Sequence, residues 1–388
     1  MASQQKIGIT MATIVGMNAM IGAGIFAVPS KLQMYVGPAG LLSFAFVIVA
    51  VWFMALSIAR VAQLYPQEGA FYTYAYQWGG HTVGLLAATT YLIGLVIALG
   101  LLTRIIGIYL QGYFPDYSPE LLGITIVTLL ILLNLAGAVL NKIGQIILII
   151  FTILPLAVIT LLCLSKATLQ NLVPFAPYGF KHILTATQAV IFGFFGFEAI
   201  PSLFKIVEKP EKNVPRAITY SIIIVGIIYL TFVASIILAL PRTLFTSASI
   251  PLSDVLLSVF PNYTWLVHGI RVAIIITIAG TIHSMIWALS NLMVSCLHKT
   301  ENFKNVLTQK SAVVVIGLGI AVACLTLKSI DLLFNLTALF IVFTYASAIV
   351  VLLVKPENRS PYNVAIATCG LLTAAIIFTC AFAGIFYS

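Results

Sequence analysis

Runs of roughly 20 apolar residues recur along almost the whole chain, each long enough to cross a bilayer as a helix. They lie near 9–30, 38–62, 82–110, 121–140, 143–164, 183–204, 217–240, 265–297, 311–328, 330–354 and 362–386. In hydrocarbon the backbone must satisfy its own N–H and C=O groups, and a helix does so within one segment. Hydrophobic residues make up 61% of the chain and charged residues 7%, against about 25% charge in a soluble domain. The sequence therefore reads as an all-α polytopic membrane protein of about 11 transmembrane helices, with no soluble domain. The eighth run is long for a simple span, which implies tilt or an extension beyond the bilayer.

A formal charge of +9 does not point to nucleic acid, because the basic residues are scattered through short loops with no basic stripe and no stacking aromatics. Their distribution gives orientation instead. With the N-terminus inside, Lys6, Arg60, Lys142, Lys205, Lys209, Lys212, Arg216, Lys299, Lys304, Lys310, Lys355 and Arg359 are cytoplasmic or nearly so. Lys31, Arg104, Lys166, Lys181, Arg242, Arg271 and Lys328 fall on the other side or within a helix. This excess favours a cytoplasmic N-terminus in a multi-pass protein of the cell inner (plasma) membrane, and an odd helix count then puts Ser388 outside. One lysine before the first apolar run, followed by Pro29 and Lys31, argues against a cleavable signal peptide. Cys163, Cys296, Cys324, Cys369 and Cys380 all sit in apolar runs without ligand spacing, so neither a disulfide, a metal nor another cofactor is expected.

Two of the runs carry glycines where a helix is expected to break. The first reads Ile21-Gly22-Ala23-Gly24-Ile25-Phe26, followed by Pro29 and Gly37-Pro38; the sixth reads Gly193-Phe194-Phe195-Gly196-Phe197-Glu198. Glycine is costly in a helix and lets the chain unwind. Unwound backbone is tolerated at membrane depth only where protein buries it or where it lines a cavity. Broken helices at matching places in two halves point to a secondary transporter's binding site and to inverted repeats. The alternative for Gly22 and Gly24 is a close helix-packing face. Unwinding there frees the N–H groups of Ala23, Gly24 and Ile25 at the positive end of a half-helix, a carboxylate site without a charged side chain. Carbonyls freed near Gly193 suit an ammonium group. Phe192, Phe195 and Phe197 supply apolar walls and a gate, although each of them taken singly also reads as ordinary packing.

Glu198 is the one acidic residue deep inside an apolar run. Ionisable groups there are expensive and are functional candidates by default. Glu198 reads equally as a proton-exchanging group and as a hydrogen-bond acceptor that fixes the broken helix. Arg104 and Arg271 read as snorkelling side chains, His283 as a hydrogen-bonded interior histidine, and Tyr91 as a lesser pocket residue.

Four stretches carry a resemblance. They are Gly-Ala-Gly-Ile-Phe at 22–26, Tyr-Pro-Gln-Glu-Gly-Ala-Phe-Tyr at 65–72, Gly-Phe-Glu at 196–198, and Glu-Lys-Pro-Glu-Lys-Asn-Val-Pro-Arg-Ala at 208–217. In this order the chain resembles the amino acid/polyamine/organocation superfamily of transporters. It departs from that family at 68–70, where Glu68 and Ala70 flank Gly69 in place of the frequent Gly-Gly pair. The resemblance implies a five-plus-five inverted-repeat fold with broken helices 1 and 6. It implies a substrate α-carboxylate on the backbone at Gly22, Ala23 and Gly24, beside Ile25. It places the α-amino group near carbonyls of Ala19, Met20 and Phe192 to Phe195, including Gly193. In the arginine/agmatine antiporter branch an aromatic at the position of Phe192 closes over the substrate, and a glutamate at the position of Glu198 takes part in proton-linked gating. Proton-coupled symporters of the superfamily often carry a lysine seven residues after a glutamine in helix five. Here Gln145 is followed at that offset by Thr152, which favours exchange, or coupling through Glu198. Sodium coupling would need helix-one and helix-eight oxygens such as those of Thr281, Ser284 and Ser290.

The chain thus reads as one transmembrane domain over 1–388, with a first repeat near 9–164, a second near 183–354 and an extra helix near 362–386. The expected function is amino-acid transport by alternating access, as an exchanger or proton-linked carrier. Its partners are an amino-acid substrate, the lipid bilayer and, if coupled, protons; the oligomeric state is open. A cationic amino acid/polyamine antiporter and a non-transporting sensor of the same fold are the alternatives. No cluster of His, Asp, Cys or Ser at catalytic spacing supports an enzyme, and no catalytic residue is assigned.

Overall fold

A computed structural model describes residues 6–65, 70–137, 142–202, 207–247, 250–297 and 308–386. Helix occupies each of the eleven apolar runs. The first is split into α1 (Ile9–Met20), a 3-10 turn (Ala23–Phe26) and α2 (Val28–Tyr35), with a 47° bend between its halves. The second, third, fourth and fifth are α3 (Gly40–Leu64), α4 (Ala70–Gln111), α5 (Pro119–Leu135) and α6 (Lys142–Leu164). The sixth is cut into α7 (Lys181–Thr185), α8 (Thr187–Phe192) and α9 (Ala199–Ser202). Then come α10 (Pro210–Ala239), a short α11 (Leu252–Val259), α12 (Thr264–Leu297), α13 (Gln309–Thr326), α14 (Ile330–Ile349), α15 (Val351–Val354) and α16 (Pro361–Ile385). Among the described residues seven helices are long and apolar enough to cross a membrane, and the bent first pair adds an eighth.

Local chemistry explains the starts of these helices. Ser118, Ser329 and Ser360 cap α5, α14 and α16 by accepting from the N–H three residues on, which satisfies an otherwise orphaned donor. The motif at 208–217 reads as a proline-punctuated loop ahead of a span at 217, but α10 already begins at Pro210. Proline fits the first helical turn, where its missing N–H has no partner to lose, and Glu211 there complements the helix dipole. Likewise α4 begins at Ala70 rather than near 82, and it changes direction at Gly80. Residues 66–69, including Glu68, lie outside the described set, as do Lys205, Lys299 and Lys304.

Polar contacts define two ends of the bundle. At the N-terminal end Ile7 bridges Val207, and Glu208 N–H donates to the Ile7 carbonyl at 2.9 Å. Gln63 donates to the Glu211 carbonyl, and Arg60 to Asn363 Oδ1. At the opposite end Lys31 pairs with Asp331, Arg104 with Glu120, and Arg271 with Asp254. Arg60 thus lies at one end, and Lys31, Arg104 and Arg271 at the other. Two readings change. Arg271 is 4% exposed and does not snorkel: α11 folds within the 241–264 connection and brings Ser253 and Asp254 onto its guanidinium. Arg104 binds Glu120 and donates to the Leu327 carbonyl, tying α4 to α5 and to the end of α13.

Candidate functional site

The two breaks meet at the centre of the bundle. α1 stops at Met20, where Ile21 N–H still reaches the Met17 carbonyl and Gly22 N–H turns back to Met20. Gly22 is extended, with φ −120 and ψ −166, and the 3-10 turn follows. The N–H groups of Ala23 and Gly24 have no acceptor inside such a turn, whereas that of Ile25, expected to be free, donates to the Gly22 carbonyl three residues back.

Facing them, α8 ends at Phe192 and turns run from Gly193 to Glu198 before α9 begins at Ala199. Gly196 has φ +114, and a Cβ there would stand 2.2 Å from the Ala19 carbonyl oxygen. Only glycine suits both the backbone conformation and the contact. A Cβ on Gly24 would stand 2.6 Å from the Phe192 ring, so the aromatic of one break lies directly on the backbone of the other. Phe192 is buried and meets Phe195 and Phe334 edge to face, with ring centroids 6.1 and 5.1 Å away. Ala19, Met20, Gly22, Gly24, Phe192 and Gly196 are thereby brought together. Ile25 is fully buried, and Gly193 packs beside Tyr229. The Met20 carbonyl accepts from Tyr229 O–H at 2.9 Å and Gly22 N–H at 2.8 Å, which engages both of its lone pairs.

Glu198 is the hub of the sixth segment. Tyr91 of α4 donates to Oε1 at 2.7 Å, Tyr345 of α14 donates to Oε2 at 2.7 Å, and Gly196 N–H donates to Oε2 at 2.9 Å. One carboxylate thus joins two long helices to the unwound backbone two residues upstream. Tyr345, fully buried and packed at tilted and edge-to-face angles among Phe71, Phe195 and Phe197, carries no sequence signal, since an aromatic in an apolar run gives no sign of where its hydroxyl goes. His283 is an interior histidine whose Nδ1 accepts from the Asn134 amide at 2.9 Å. Thr152 faces α12, with its hydroxyl 3.3 Å from that of Thr277. The Thr281 and Ser290 hydroxyls donate to carbonyls of their own helix, although the Thr281 side chain lies beside Gly22.

Cavities approach the first break from both ends. On the N-terminal side a pocket of about 250 Å³ is lined by Ile14, Met17, Asn18, Ile21, Thr152 and Ile153. At the opposite end a vestibule of about 560 Å³ is lined by residues including Arg104, Glu120, Lys328 and Asp331. It shares Ile108, Ile250, Pro251 and Ile330 with a throat of only about 20 Å³ that reaches Phe26 and Ala27. Beside this throat lies a polar clasp. Lys31, 4% exposed, meets Asp331 at 2.8 Å with its ammonium 4.6 Å from the Phe334 ring centroid, and Tyr35 O–H also reaches Asp331. Phe334 in turn packs on Phe192.

Opposed broken helices at the middle of a helical membrane bundle, with a cavity leading to them from each end, are the architecture of a secondary transporter. The chain belongs to the amino acid permease family, whose sequence model matches residues 7–388. It is 26% identical to the branched-chain amino acid permease BcaP of Bacillus subtilis over 289 residues, covering 67% of this chain and 60% of that protein. An uncharacterized transporter of Mycobacterium bovis is 25% identical over 292 residues, covering 74% of this chain and 64% of that one. The methylthioribose transporter of Bacillus subtilis is 24% identical over 240 residues, covering 56% and 51%. The chain therefore matches less than two thirds of the length of these relatives.

Proposed function

We propose that this protein carries amino acids across the inner membrane by alternating access, with its N-terminus in the cytoplasm. The observation that carries the reading is the juxtaposition of the two breaks between two cavities, with Phe192 seated on Gly24. The α-carboxylate binds the N–H groups of Ala23 and Gly24, where two unpaired donors at the start of the half-helix favour an anion. The ammonium meets carbonyls of Ala19 and of the turn after Phe192, including Gly193. Ile21, Met17, Phe192 and Phe195 then face the side chain, which suits a small apolar amino acid; the branched-chain name of one relative agrees with this. Exchange, or coupling through Glu198, fits Thr152 at the helix-five position better than a lysine-based proton cycle. No covalent step is needed, because binding and rocking of one helix group against the other complete the cycle.

Two variants test this site. Phe192→Ala removes an aromatic wall and should weaken amino-acid binding about tenfold, in line with the burial of one large side chain. Equilibrium binding of labelled substrate reads this directly, and an unchanged affinity removes Phe192 from the site. Asp331→Asn strips the buried Lys31 of its counter-charge, a loss worth roughly 3–5 kcal/mol in a closed pair. The clasp should then open, so that a cysteine introduced as Ala27→Cys reacts several-fold faster with a membrane-impermeant thiol reagent added from the vestibule side. Equal labelling with and without Asp331→Asn would mean that the pair does not hold the vestibule shut.

A further inference from the structure

Away from the breaks, a cavity of about 410 Å³ opens at the N-terminal end of the bundle between α3, α10 and α16. Its lining includes Arg60, Gln63, Glu211, Pro215, Tyr362 and Asn363, and none of the break residues. Arg60 is half-buried and is held only by neutral amides, donating from Nε to Asn363 Oδ1 at 3.0 Å and from Nη1 to Gln63 Oε1 at 2.9 Å. Gln63 in turn donates to the backbone carbonyl of Glu211, not to its side chain. Among the described residues Arg60 pairs with no acid and Glu211 with no cation. One cavity therefore presents a guanidinium and a carboxylate that do not neutralise each other. The amides fix the guanidinium in place and leave its charge uncompensated.

Such a pair matches a ligand that is itself a zwitterion with separated charges. The planar guanidinium fork suits a phosphate, and the carboxylate suits a cation that can donate hydrogen bonds. The lipid-facing surface continues along α16, where Tyr362, Val364 and Leu372 are exposed apolar side chains, so acyl chains have a surface to follow. Basic pockets between transmembrane helices near the membrane surface are known places for lipid headgroups. We infer that this cavity binds a phospholipid whose headgroup carries a primary ammonium, as in phosphatidylethanolamine, with the phosphodiester on Arg60 and the ammonium on Glu211. The site is independent of the transport reading.

The test uses the full-length protein, purified in detergent and stripped of lipid. Native mass spectrometry compares phosphatidylethanolamine with phosphatidylcholine and phosphatidylglycerol of identical acyl chains. The expected result is retention of phosphatidylethanolamine over phosphatidylcholine by about tenfold, the value of one charge-assisted hydrogen bond that a trimethylated nitrogen cannot make. Glu211→Gln should bring that ratio close to one while leaving phosphodiester binding intact, and Arg60→Gln should weaken all three lipids. Glu211 is exposed and its carboxylate binds no described residue, so Glu211→Gln gives up only its interaction with the α10 dipole and is expected to fold, with a melting temperature lowered by no more than about 2 °C. Soluble glycerophosphoethanolamine separates the two sources of this chemistry: weak competition supports a membrane lipid, whereas displacement of the lipid at micromolar concentration assigns the cavity to a soluble ester and overturns the lipid assignment. Equal retention of phosphatidylethanolamine and phosphatidylcholine, or an unchanged ratio in Glu211→Gln, overturns the proposal outright.

Discussion

Gly196→Ala is expected to abolish amino-acid uptake, while Gly193→Ala, three residues earlier in the same break, keeps most of it. At Gly196 φ is +114, a region that costs an L-residue on the order of 1–3 kcal/mol. The added methyl would also stand 2.2 Å from the Ala19 carbonyl oxygen and 2.6 Å from its carbon. Those are backbone atoms of the opposite break, and they move only if the junction of the two breaks moves. The Gly196 N–H that binds Glu198 would be displaced with them. Gly193 is helical, with φ −67, and its nearest obstacle is the Tyr229 ring at 3.2 Å, which can shift by a few tenths of an ångström. Size-exclusion profiles and uptake for the two variants side by side separate misfolding from loss of transport. Wild-type uptake by Gly196→Ala would contradict the geometry of the paired breaks.

The second large effect is expected at Glu198, where Leu and Gln should part company. Glu198→Leu strands three donors, the Tyr91 and Tyr345 hydroxyls and the Gly196 N–H. At about 1–3 kcal/mol for each buried group left unsatisfied, the sum rivals the whole stability of a typical domain. This variant should be poorly folded or inert. Glu198→Gln keeps one oxygen to accept, and its amide can donate to a tyrosine oxygen, since a phenol both donates and accepts. It should therefore fold. If Glu198 only braces the broken helix, Glu198→Gln retains both exchange and its dependence on a pH gradient. If Glu198 also carries the coupling proton, the variant keeps exchange and loses uptake driven by the gradient. A fully active Glu198→Leu would remove the carboxylate from the account altogether.

How much of this was legible in the chain varies with the physics behind each feature. Helix positions follow from apolar length, and the eleven runs all hold helix. The starts of α4 and α10 lie ahead of their apolar runs: Gly79, Gly80 and His81 interrupt the pattern before 82, and a charged, proline-bearing stretch precedes 217, although Pro210 and Glu211 carry a first-turn signature. The breaks were legible because glycine is so costly in a membrane helix, and Glu198 because an acid at that depth is rare. What pairs with what was hidden. The sequence marks Tyr91 only as a lesser pocket residue and Tyr345 not at all, because a hydroxyl partner more than a hundred positions away leaves no local pattern. The Lys31–Asp331 clasp likewise joins residues from the first and tenth runs whose meeting depends on the tertiary fold. The snorkelling expected of Arg271 failed because a short helix inside a polar connection supplied a partner that hydropathy alone does not show.

The central claim is that this chain moves amino acids through the junction of its two broken helices. Labelled amino-acid uptake into proteoliposomes tests it most directly, with vesicles either empty or preloaded with unlabelled amino acids and with the external pH set at two values. The account predicts uptake that small apolar amino acids compete for and that Gly196→Ala eliminates. Dependence on preloading would identify exchange, and dependence on the pH gradient would identify proton coupling. Substrate binding without flux in any of these conditions, across a broad amino-acid panel, would contradict transport and leave a binding protein built on the same fold.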